Sequence, residues 1–82
     1  MTQLLTIKEL RGELGLTQIE FGAFIGLANK ASVSLIETGA RAPDLAQALA
    51  IERLSVADGA PRIDAALLND DVARARAQPR SR

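Results

Sequence analysis

Apolar residues recur along this chain at the spacing of short amphipathic helices. Ile7, Leu10 and Leu14 stand three and four residues apart, which gathers them on one face of a first helix. Thr6 and Glu9 open it in the T-x-x-E order of a capping box. There the hydroxyl accepts a free first-turn amide and the carboxylate reaches back to the N–H of the cap. Gly15 closes it, and Leu4 and Leu5 are placed to staple its first turn. Thr17 and Glu20 repeat the signal, and Ile19, Phe21, Phe24 and Ile25 supply the apolar side chains of a second helix that Gly26 ends. After Leu27-Ala28, Asn29 is a good N-cap for a third helix running to about Thr38, where Gly39 stops it. In this helix Val33 and Ile36 point inward.

Gly39 to Asp44 is a connection rich in breakers, and Asp44 is placed to cap a fourth helix. Leu45, Ala48, Leu49, Glu52 and Leu54 make its stripe, with Gln47 and Arg53 outside. Ala57-Asp58-Gly59-Ala60-Pro61 is the clearest punctuation in the chain. Beyond it Arg62-Ile63-Asp64 reads as a short extended piece, and Asp64 can cap a final helix to about Ala75. Leu68, Val72 and Ala75 share one face of that helix, with Ile63 and Leu67 nearby. The pattern predicts an all-α fold, a compact bundle of four to five short helices. One domain is expected over residues 1–75, followed by a flexible Arg-rich tail over 76–82.

Composition narrows the chemistry. Eighty-two residues, nearly half of them hydrophobic, suffice for one small core and not for two. With no cysteine there is no disulfide and no thiolate metal site, which suits a cytoplasmic location. With no histidine the usual general base and commonest metal ligand are missing too. Neither an enzyme nor a metal or other cofactor is expected. The adjacent carboxylates Asp70 and Asp71 would point apart on a helix. No apolar run approaches the length of a membrane span, and the N-terminus has neither the basic start nor the cleavage site of a signal peptide. The formal net charge is zero, whereas nucleic-acid-binding domains are usually basic. The charges are unevenly placed, however, with Arg74, Arg76, Arg80 and Arg82 gathered at the end.

Helix, glycine-containing turn, second helix is the plan of a helix-turn-helix, whose second helix enters a DNA major groove. The outward side of the predicted third helix and its entry carries Asn29, Lys30, Ala31, Ser32, Ser34 and Leu35. Short polar and small apolar side chains allow close approach to base edges. Asn29 can read adenine with two hydrogen bonds, Lys30 can reach guanine or a phosphate, Ser32 can donate to a phosphate, and Ala31 and Leu35 can meet thymine methyls. Arg41, just past the helix, is placed for a backbone phosphate. An ordinary solvated helix face is the plainer alternative.

From Leu10 to Ser55 the chain resembles the Cro/Xre-type helix-turn-helix domain of phage repressors, a lambda-repressor-like fold. The resemblance rests on Arg11, Gly15-Leu16-Thr17-Gln18, Gly26, the run Val33-Ser34-Leu35-Ile36-Glu37-Thr38-Gly39, and Pro43. It implies a DNA contact for Gln18 at the start of the second helix. It also implies a structural salt bridge between Arg11 and Glu37. The chain departs from the family in having Gly22 where Ala is common, and a turn, Leu27-Ala28-Asn29, one residue longer than the commonest form.

The expected partner is double-stranded DNA, and the expected role is sequence-specific transcriptional regulation, by repression, from a homodimer on a palindromic operator. The apolar segment 62–75 is a candidate dimer interface, or it covers the core of its own chain. The arginines at the end can reach phosphates or aid solubility. A second class stays open: an antitoxin-like protein-interaction module that neutralises a partner, a toxin or another regulator, while autoregulating its operon.

Overall fold

Local caps build most of the architecture. A computed structural model of the chain describes residues 5–78, with helices α1 (Ile7–Leu14), α2 (Gln18–Ile25), α3 (Lys30–Thr38) and α4 (Leu45–Leu54). A hairpin of β1 (Val56–Ala57) and β2 (Ala60–Pro61) follows, then α5 (Ala65–Leu68) and α6 (Asp70–Ala77). Complete capping boxes open α1 through Thr6 and Glu9, α2 through Thr17 and Glu20, and α4 through Asp44 and Gln47. Each satisfies two backbone donors that a helix start otherwise leaves open. Gly15, Gly26 and Gly39 close the first three helices.

The main core joins Ile7 and Leu10 of α1, Phe21 and Ile25 of α2, Val33 and Ile36 of α3, Ile51 of α4, and Ile63 beyond the hairpin. Ala48, Ala65 and Val72 form a smaller one, where α5 and α6 close over α4. Several expectations need correction. Ile19 and Phe24 are 62% and 61% exposed, because α2 buries only the side carrying Phe21, Gly22 and Ile25. In α4 the buried stripe runs through Ala48 and Ile51, while Leu45 is exposed at the helix start. Ala75 is exposed as well.

The region after α4 differs most from the sequence reading. The extended piece comes earlier, as a two-stranded antiparallel hairpin pairing Val56 with Pro61 and Ala57 with Ala60. Asp58 and Gly59 turn it at φ 53° and 82°, the positive values that a two-residue type I′ turn needs at both centres. Fully buried Ser55 seals its base: the Oγ donates to Glu52 O and accepts from the amides of Arg62 and Ile63.

The single last helix is instead two. Asn69 breaks it at φ −146° and ψ 125°, accepting from the amides of Asp71 and Val72 while its Nδ2 donates to Pro43 O at 2.9 Å. Helix α6 runs to Ala77, and Arg76 donates to Glu52 and Asp64. Arg76 therefore belongs to the folded body and not to a tail. Leu4, Arg80 and Arg82 lie outside the described residues.

Candidate nucleic-acid interface

Helices α2 and α3 meet at 87° across the turn Gly26 to Asn29, within a few degrees of the helix-turn-helix range. The inner side of α3 is locked by Val33 and Ile36, which are 0% and 4% exposed. Its last turn is held by a partly buried ionic cluster. The Glu37 side chain, 4% exposed, accepts from Arg11 Nε at Oε2 and from Gln18 Nε2 at Oε1, 3.0 Å away. Arg11 also donates through Nη1 to Leu16 O. One carboxylate thus ties α1, α2 and α3 together, and the ion pair implied by the resemblance is present in the folded chain.

With the inner side fixed, Ala31, Leu35 and Thr38 are exposed along the opposite side of α3, Lys30 is exposed at its first turn, and Ser32 and Ser34 are half-buried on its flanks. Asn29 precedes them as N-cap, its Oδ1 accepting from Ser32 N at 2.9 Å. A two-point adenine contact by Asn29 would compete with this cap, so its Nδ2 donors are the groups left for a ligand. Gln18 is half-buried, and one of its amide hydrogens is engaged by Glu37. Its position is therefore set by the cluster beneath. Gln18 and Lys30 nevertheless face a common space, an open hollow of about 350 Å³ lined also by Arg11, Thr17 and Ile19. The Arg41 amide donates to Leu35 O at the end of α3, and its side chain is exposed. Thr38 was not picked out from the sequence. The signal was there, since residues 31, 35 and 38 share one side of a helix by their i, i+4, i+7 spacing.

Cations without an ion-pair partner among the described residues include Lys8 on α1 and Arg53 on α4, and two more flank α3. Among the described residues Arg11, Arg62, Arg74 and Arg76 each have an acidic partner, while the carboxylates of Glu9, Glu20 and Asp44 cap helices. Lys30 and Arg41, one at each end of α3, have no ion-pair partner among them. Since Glu37 is matched by Arg11, this face is locally positive although the chain sums to zero. That is the arrangement phosphate contact needs, because each contact draws on a nearby cation or N–H and not on the total.

A family model described as helix-turn-helix matches residues 7–54. The chain belongs to the Cro/Xre-type helix-turn-helix family. No curated protein and no solved structure matches it. As a Cro/Xre-type domain it is a DNA-binding regulator, of a family that is typically non-enzymatic. The matched region ends with α4, so the hairpin, α5 and α6 lie outside it. No single helix among the described residues is long and apolar enough to cross a membrane.

The two departures that the resemblance implies, at Gly22 and in the turn after α2, meet at one point. A Cβ on Gly22 would lie 2.9 Å from Leu27 O and 2.9 Å from Val33 Cγ2. The Leu27 carbonyl belongs to the lengthened turn, and the Leu27 amide donates back to Gly22 O at 2.7 Å. The longer turn folds across α2, and glycine leaves room for it.

Proposed function

We propose that this Cro/Xre-type domain is a sequence-specific transcriptional repressor that binds a palindromic operator as a homodimer, with α3 as its recognition helix. The supporting observation is the division of α3 into an inner side locked by Val33, Ile36 and Glu37 and an exposed outer side bracketed by Lys30 and Arg41. Lys30, Ser32 and Arg41 contact phosphates, Ala31, Ser34 and Leu35 approach base edges, and Gln18 and Asn29 contribute amide donors at the groove wall. The mechanism is binding alone: an occupied operator excludes the polymerase.

One such domain reads only a few base pairs, and two copies about 34 Å apart meet successive turns of one groove face. The segment 62–75, a candidate for the contact between copies, would bring mainly one side chain to it. Ile63, Ala65 and Val72 are buried in their own chain, leaving Leu67, 72% exposed, as its main outward apolar group. Selection of bound duplexes from a random pool, at stated salt, tests the proposal. A consensus with two-fold symmetry is expected, and failure to enrich any duplex would overturn it.

A further inference from the structure

The connection from α3 to α4 carries the exposed Arg41 side chain and is tied at both ends. At its start the Arg41 amide donates to Leu35 O at 3.2 Å. Its far end is held differently. Pro43 is buried and, being proline, has no N–H, so the carbonyl is its only backbone hydrogen-bonding group. That carbonyl accepts from Asn69 Nδ2 at 2.9 Å, across 26 residues. The donor stands at the junction of α5 and α6, outside the matched residues 7–54. Beside this bond, Ala42 faces Leu67, Asn69 and Arg74 across an open hollow of about 500 Å³. Packing does not press Ala42 onto α5 and α6, and the hydrogen bond joins the loop to them.

Asn69 is itself firmly placed. Its Oδ1 accepts from the amides of Asp71 at 2.8 Å and Val72 at 3.2 Å, and its own amide donates to Ala65 O at 3.0 Å. Ala65 and Val72 are buried on either side of it in the chain. A residue needed only as a cap could be Ser or Asp, which supply the oxygen alone. The side-chain amide is what asparagine adds, and it is spent on Pro43. We propose that Asn69 is a positioning residue for DNA binding, which by holding Pro43 keeps the Arg41 loop in the conformation that meets a backbone phosphate. The inference rests on the reading of Arg41 as a phosphate contact. A loop that is ordered only on binding subtracts its lost freedom from affinity, and a tether made on folding removes part of that cost. The C-terminal unit, which the family match does not cover, thereby contributes to DNA affinity through the loop.

The test uses the full chain and the duplex enriched from the random pool, titrated over a range of salt. If no duplex is enriched, the proposed function and this inference fall together. Arg41→Ala is the reference. Loss of one phosphate contact should reduce the logarithmic salt slope by about 0.9, which is about fivefold in affinity near ~0.15 M salt. Unchanged slope and affinity would remove Arg41 from the interface, and the inference with it. Asn69→Ser then decides, because serine keeps an oxygen for the cap but is too short to reach Pro43 O. Affinity should fall about two- to fivefold, up to the full worth of the Arg41 contact. Affinity equal to that of the unaltered protein would overturn the inference and leave the Arg41 contact standing.

Two further variants separate positioning from a general loss of structure. In an Arg41→Ala background Asn69→Ser should cause no further loss, since the group it positions is gone. An equal loss in both backgrounds would overturn the inference. Glu52→Gln weakens the Arg76 cluster further along α6 and leaves the Asn69–Pro43 bond in place. DNA affinity and salt slope should then stay unchanged. A loss matching that of Asn69→Ser would assign the effect to the stability of the C-terminal unit and overturn the role of Asn69.

Discussion

The Arg11–Glu37 pair and the Arg76–Glu52–Asp64 cluster use the same chemistry in different surroundings. In the first, the side chains are 19% and 4% exposed, and the carboxylate also holds Gln18. In the second, Arg76 and Asp64 are about half exposed and Glu52 is 17% exposed. The first sits beneath the proposed recognition face and joins three helices of the matched domain. The second fastens α5 and α6, which lie outside that domain, onto α4. A buried pair is weak evidence for net stability, because desolvation offsets much of the Coulomb gain. Removing one partner of it is nevertheless severe, while an exposed pair yields little when broken. Loss of the first should therefore disturb both folding and DNA presentation. Loss of the second should loosen the C-terminal unit alone.

The largest expected effect is that of Glu37→Ala, which leaves the Arg11 guanidinium without its carboxylate and frees Gln18. A loss of about 3 kcal/mol is expected in denaturant unfolding. Arg11→Ala and the double mutant complete a cycle, and additivity of the single losses would dissolve the contrast between the two clusters. Gly22→Ala comes next. Replacing glycine in a helix normally stabilises by roughly 1 kcal/mol, but here the new methyl meets a carbonyl and Val33 at 2.9 Å. Overpacking of this kind costs about 1–3 kcal/mol. A melting temperature at or above that of the unaltered protein would show that the turn yields easily.

Glu52 sharpens the comparison through pH. The Arg76 guanidinium, and then the Ala65 amide, hold its carboxyl down from an ordinary 4.5 to about 2. A carboxylate favoured in the folded state stabilises fully above its unfolded pKa, and that contribution is lost as the pH falls from about 4.5 towards 2. Glu52→Gln should lower the melting temperature at pH 7 by a few degrees and flatten its decline over that acid window. An unchanged acid limb would mean that the cluster contributes nothing measurable. The smallest effect on folding belongs to Lys30→Ala, which should leave the melt unchanged. It should weaken DNA binding and reduce the salt slope by about one if Lys30 meets a phosphate. A changed base preference with the same slope would place it on a base edge instead.

Helix starts were readable wherever a side chain caps its own backbone, as at Thr6, Thr17, Asn29 and Asp44, since the capping partner lies three residues away in sequence. The Asn69 break was readable in principle, with Asn-Asp-Asp forming a cap and an acidic first turn, but the apolar spacing of Leu68 and Val72 argued for continuity. What decides the matter is the Asn69 bond to Pro43 O, made across 26 residues. Among the site residues, the outward position of Lys30, Ala31 and Leu35 followed from helical period alone. That Asn29 is tied up as a cap, or that Gln18 is held by Glu37, depends on which hydrogen-bond partner is nearest once the helices have packed.

Sequence alone therefore determined the capped helices, the turn at Gly26 and the family plan, because these depend on neighbours within about one helical turn. The tertiary structure alone decided which apolar residues stay outside, as Ile19 and Phe24 do, and why residue 22 is glycine. It also decided that Glu52, Asp64 and Arg76 meet. Each of those outcomes depends on what another element brings into contact, and the order of residues along one helix does not contain that information.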